Sequence, residues 1–125
     1  MKYLTICISL LVSFNAFACK CDGDTVVKKL MLSDKVFVGT PISGEISNQV
    51  VKAEFTVVET IKGKLDSTVV VNTDTSSCGS SITLGQESLV FLDKNNFTYM
   101  CTGVHSLRNR RTEYDLDILR DVKKF

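Results

Sequence analysis

The sequence predicts a small, mainly β domain: a five-stranded barrel with a short helix before it and an amphipathic helix after it. Three observations lead there. Short runs rich in Val, Ile, Thr and Phe recur between turn residues. The chain has no Trp and a single Pro, so its core must come from Val, Ile, Leu and Phe. No internal repeat, low-complexity tract or Pro/Gly/Ser linker divides it. A chain of 125 residues then suits one domain, large enough to bury a core and small enough to gain from covalent staples.

The first 18 residues set where that domain begins. Lys2 is the lone charge there, residues 3–12 are almost wholly apolar, and Ala16-Phe17-Ala18 is the small-x-small pattern a signal peptidase accepts. The apolar run is well short of the ~20 residues a spanning helix needs, so a cleaved leader over 1–18 is expected rather than an anchor. A lipid on Cys19 is the rival, but Asn15-Ala16-Phe17-Ala18 lacks the usual aliphatic residue three places upstream. Cysteine parity points the same way. Cys7 leaves with the leader, and Cys19, Cys21, Cys78 and Cys101 remain as an even set, suited to an export compartment where disulfides persist. The expected mature protein is residues 19–125, extracellular or periplasmic, with a cysteine as its first residue.

Losing Lys2 makes the 15 basic residues equal in number to the 14 acidic ones. With no net charge, long-range steering toward nucleic acid or an anionic membrane is not expected.

The elements follow in order. Residues 24–33 carry Val27, Leu30 and Met31 at helical spacing, with Asp24 or Thr25 available as N-cap. Strands are predicted over 36–40, 50–61, 68–73, 88–92 and 97–102. Lys62-Gly63-Lys64 and residues 93–96 are natural turns, whereas 74–85, rich in Ser and Gly and holding Cys78, is a longer connection that needs tying down. At the end, Thr112 with Asp115 reads as a capping box, and Leu116, Leu119 and Val122 form an apolar stripe. Helix, five-stranded barrel, helix is the outline of an OB-fold.

Particular residues carry a closer likeness. They are Cys19-Lys20-Cys21 at the mature start, the run Ser33-Asp34-Lys35-Val36-Phe37-Val38-Gly39, and Phe55-Thr56-Val57 ahead of Ile61-Lys62-Gly63. Cys78-Gly79 and Gly85 then precede Leu89-Val90-Phe91, and Cys101 follows. Together these resemble the N-terminal, netrin-like domain of the tissue inhibitors of metalloproteinases, over nearly all of residues 19–125. The C-terminal helix is similar to that of the single-domain bacterial relatives of that family. The chain departs from the pattern in lacking a third disulfide and a C-terminal domain, and residues 43–48 are a short version of the first hairpin some members use for contacts.

The resemblance implies the pairings Cys19–Cys78 and Cys21–Cys101; four cysteines allow three connectivities, and Cys19 with Cys21 would close a tiny strained ring. It also implies a mechanism. The α-amino nitrogen and carbonyl oxygen of Cys19 would chelate the catalytic zinc of a target metalloprotease, which keeps an open position beside three protein ligands. Lys20 would enter the enzyme's specificity pocket, with Cys21 beside it, where the family usually has a small or hydroxylated residue. No cofactor of the chain's own is expected, and no membrane partner once the leader is gone.

Other features are weighed against this. His105 has no common zinc-site spacing to the cysteines and reads as a loop residue. Arg108, Arg110 and Arg111 are followed by Glu113, Asp115, Asp117 and Asp121, which makes a solvated or internally paired surface. Asn96-Phe97-Thr98 is an N-glycosylation sequon, meaningful only in a eukaryotic host. An enzyme is not expected, since no Ser or Cys nucleophile has a plausible base, the one histidine lying far along the sequence and the cysteines being needed for pairing. The alternative to an inhibitor is an envelope or extracellular binding module on the same stapled scaffold.

Overall fold

A computed structural model describes Cys21, residues 25–76 and residues 78–123. The expected leader over 1–18, together with Cys19 and Lys20, lies outside the described residues. Helix α1 (Val26–Leu32) is followed by six strands, β1 (Lys35–Ser47), β2 (Val50–Lys62), β3 (Thr68–Asp74), β4 (Ser88–Leu92), β5 (Phe97–Thr98) and β6 (Val104–Ser106), and then by helix α2 (Arg110–Lys123).

The strands form one sheet in the order β5-β3-β2-β1-β4-β6, antiparallel throughout except for the parallel β3–β5 pair. This corrects the expected closed five-stranded barrel: among the described residues there are six strands and no ladder between β4 and β5. The sheet is nonetheless strongly curled. β4 and β5 are separated by three strands in the sheet order, yet residues 93–96 join them, and the Asp93 N–H donates to the Phe97 carbonyl (3.0 Å).

Curling gives β1 and β4 two buried faces, which is why they read as unbroken apolar runs rather than as alternation. Val36, Phe37 and Val38 are all buried, as are all five residues of β4. One face packs inside the curl, where Phe37, Val90 and Leu92 meet Ala53, Phe55, Val69 and Val71. The other packs under the helices, where Val36, Val38, Leu89 and Phe91 meet Ile61, Leu116 and Leu119. Gly39 is where β1 bends: a Cβ there would lie 2.6 Å from the Thr56 carbonyl oxygen and 2.8 Å from Phe37 Cε2, so no larger residue fits.

β1 runs well beyond the predicted 36–40. A bulge between Pro41 and Ser43 carries it past the sheet, and it turns back into β2 at Asn48 and Gln49. Both have positive φ (51° and 64°), the conformation of a two-residue type I′ hairpin turn. The expected fifth strand over 97–102 stops at Thr98, because the Met100 N–H leaves the ladder for the Cys78 carbonyl (2.9 Å). The turn before it is built on Asp93, whose Oδ1 accepts the N–H groups of Asn95 (2.8 Å) and Phe97 (2.9 Å).

Leu30 of α1 and Leu116 and Leu119 of α2 pack on the core as expected, and each buried stripe departs from expectation at its margins. Thr25 caps α1, its Oγ1 accepting the Lys28 N–H (3.3 Å), but Val26 and Leu30 face the core while Met31 is 74% exposed. The spacings 27–30–31 and 26–30 are both helical, and only the position of the sheet chooses between them. In α2 the cap is Asn109 rather than Thr112: Asn109 Oδ1 accepts the Arg111 N–H (3.0 Å). Thr112 is buried in the first turn, so the packed stripe is 112–116–119 and Val122 is left at its margin. Arg120 fastens α2 to β2 by donating from Nε and Nη2 to the Glu59 carboxylate (3.0–3.1 Å). Among the described residues no helix is long and apolar enough to cross a membrane.

Candidate functional site

The disulfide Cys21–Cys101 joins residues 80 apart in sequence, with Cα atoms 5.2 Å apart. It fastens the chain ahead of α1 to the segment between β5 and β6. Cys21 is exposed and Cys101 half-buried, so the bridge lies at the surface. Cys78 is also disulfide-bonded; the expected pairing with Cys19 falls on a residue outside the described ones.

The two cysteine-bearing loops are stitched together by hydrogen bonds that the sequence did not announce. The Met100 N–H donates to the Cys78 carbonyl. The buried Thr73 hydroxyl donates to the Thr98 carbonyl (2.8 Å) and accepts the Ser80 N–H (2.8 Å), while Ser80 Oγ accepts the Val104 N–H (2.7 Å). Thr73 and Ser80 thus hold the loop containing Cys78 against the β5–β6 segment containing Cys101. A run of Ser and Thr in a loop is too common a pattern to single out these two.

Beside the bridge, α1, β6 and α2 enclose an open cleft of about 530 Å³ that Cys21, Cys101, Lys29, His105, Arg111 and Asp115 help to line. His105 lies on β6, not in a loop, paired with Leu89 and in edge contact with Phe91 (ring centroids 6.0 Å apart). Its Nε2 is 2.7 Å from the Thr102 carbonyl oxygen. A carbonyl only accepts, so in the neutral ring Nε2 carries the hydrogen and Nδ1 is the acceptor. Burial pushes the His105 pKa below the ordinary histidine value, against the pull of the Thr102 carbonyl, and the positive charge of Lys29 adds to the depression. Among the described residues no group of three or more His, Cys, Asp or Glu is placed to hold a metal ion.

Of the remaining sequence features Arg111 and Asp115 reach the cleft. Arg108, Arg110 and Arg111 are exposed around the start of α2. In the sequon, Asn96 Oδ1 accepts from Lys35 Nζ (2.6 Å) and Thr98 is fully buried. Compared with models of known protein families and with curated proteins, the chain has no match.

Proposed function

We propose that this chain is a secreted, metalloprotease-inhibitor-like protein, an OB-fold domain over residues 19–125 that presents the α-amino nitrogen and carbonyl oxygen of Cys19 to the catalytic zinc of a protease. The observation that carries the reading is the Cys21–Cys101 bridge, which anchors the chain two residues after Cys19. The strand order supports it as well: β1 lies between β2 and β4, and β3 runs parallel to β5, the arrangement of a partly open OB barrel.

The chemistry follows from the tether. An amine and a carbonyl on one residue make a five-membered chelate for the open position of a catalytic zinc. Holding Cys21, two residues on, by a disulfide lowers the ordering cost of binding. Lys20, between the two cysteines, is set to enter the enzyme's pocket, and its ammonium selects an enzyme with an acidic group there. The free amine titrates near ~7.7 and binds metal only when deprotonated, so inhibition weakens as pH falls below neutrality. The protein is not itself an enzyme in this reading.

Mass and N-terminal sequence of the exported, unreduced protein come first. A chain opening at unmodified Cys19 with no free thiol is expected, and inhibition is then assayed against a panel of zinc endopeptidases. One alanine added before Cys19 abolishes inhibition while leaving thermal stability unchanged; inhibition that survives the extension overturns the proposal. The cleft lined by Lys29, His105, Arg111 and Asp115 favours a second reading, a binding module, whose affinity for its ligand the added alanine leaves intact.

A further inference from the structure

The outer half of β1 is a sheet edge without a partner. β1 pairs with β4 only over Lys35–Gly39, and the Pro41 carbonyl accepts the Gly85 N–H (2.9 Å). From Ile42 to Ser47 its only ladder is with β2, and no hydrogen bond from a described residue reaches its other side. The two-residue type I′ turn makes Ser47 and Val50 a hydrogen-bonded pair. Counting back along the strand, Ile46 and Gly44 therefore turn their N–H and C=O groups away from β2. All of residues 42–47 are exposed, with Ile42 at 55% and Ile46 at 73%. Free edges of this kind are ordinarily blunted by lysine, proline or a bulge. Here Pro41 lies before the edge, the bulge falls at its first residue, Ile42, and the one charge on the strand beyond is Glu45.

The edge is complementary to itself. In an antiparallel pairing about Gly44, Gly44 faces Gly44 of a second copy and Ser43 faces Glu45, while Ile46 lies toward the bulge residue Ile42, so the exposed aliphatic residues are brought to the same end of the pairing and no like charges are opposed. The fold itself gives no reason for glycine at this position. Its φ is not positive, and a Cβ there would find the nearest described atom, the Lys52 carbonyl oxygen, at an ordinary 3.6 Å. In an edge pairing side chains stand above and below the sheet, so Gly44 opposite Gly44 leaves the two-fold axis without facing side chains.

We infer that the outer edge of β1, residues 42–46, is a self-association site that pairs antiparallel with the same edge of a second copy about Gly44. One edge strand buries less than the ~1,000 Å² of a stable interface, so the dimer is weak and forms at high local concentration. The site is separate from the Cys19 terminus and stands whether or not the protein inhibits a protease.

The test is sedimentation velocity of the oxidised mature chain from micromolar to millimolar concentration, beside Ile46→Lys. Reversible dimerisation of the native sequence, weakened about tenfold or more in the exposed-site variant, is expected. A monomer throughout, or a dimer unaffected by Ile46→Lys, overturns the inference. Amide hydrogen exchange of the native chain tests it without any variant. The Gly44 and Ile46 amides gain protection with concentration while that of Glu45, turned toward β2, does not; no such difference overturns it equally.

Discussion

The two faces of β1 and β4 are buried by different means. Inside the curl, Phe37, Ala53, Phe55, Val69, Val71, Val90 and Leu92 come from the strands themselves, with the loop residues Leu65 and Ile82 packed at the margin and no described helix in the cover, and the ladders leave few independent ways to open. Outside it, Val36, Val38, Leu89 and Phe91 are covered by Leu116 and Leu119 of α2 and the flank of α1. That cover is a separate layer, and it also forms the wall of the disulfide-bordered cleft. The difference teaches that the inner face decides whether the domain folds, while the outer face decides how the cleft is held.

The sharpest way to break that comparison is to make one cavity on each side. Phe55→Ala, inside the curl, costs about 4 kcal/mol and lowers global stability in urea. Leu119→Ala costs about 3 kcal/mol, and hydrogen exchange shows the α2 amides losing protection ahead of those of β2 and β3. Equal loss of protection in both layers would show a single cooperative core.

A second pair of variants sharpens the same contrast with smaller effects. Thr98, fully buried at the β3–β5 junction, has an Oγ1 with no hydrogen-bond partner among the described residues. Thr98→Val keeps its shape and removes that unsatisfied hydroxyl, so it raises stability by up to ~1 kcal/mol, read as a higher Tm. On the outer side, the folded state holds His105 neutral. As pH falls below the ordinary histidine value of ~6.5 the unfolded chain takes up the proton first, and stability drops. His105→Phe flattens that slope between neutrality and pH ~5, which parallel denaturation curves would reveal.

The smallest effect belongs to the surface clasp. The Arg120 guanidinium hydrogen-bonded to Glu59 holds its carboxyl below the usual carboxylate range. The stabilisation is present above that range and is lost as pH falls through the lowered value. The pair is substantially exposed, so Glu59→Gln costs under ~1 kcal/mol, and the loss disappears in acid.

How much of this was legible follows from where each signal is stored. β2, β3 and β4 stand within a residue of their predicted bounds because Val, Ile, Phe and Thr dominate them. β1 was read too short, since Gly39, Pro41 and Gly44 dilute its β character and the turn at Asn48 and Gln49 that ends it carries no glycine to mark it. β6, at three residues, is below the length at which a pattern can be seen. The helix faces were read in part: Leu30, Leu116 and Leu119 pack on the core as expected, whereas Val26 and Thr112 replace Val27, Met31 and Val122 because neighbouring stripes fit the same spacing. At the site, the Cys21–Cys101 bridge agrees with the pairing that the resemblance implied, whereas the stitching by Thr73 and Ser80 depends on distant backbone groups that no local pattern encodes.

The bridge between Cys21 and Cys101 has one further consequence, for a chain under tension. β1 to β5 all lie between the two cysteines in sequence, while β6 and α2 follow them. A pull on the two ends is carried past the first five strands by a covalent bond, so among the described residues only those after Cys101, chiefly the short sixth strand and the last helix, can pay out length. Reduction would place the whole sheet in the line of force, and the same molecule would change from a nearly inextensible link to an extensible one.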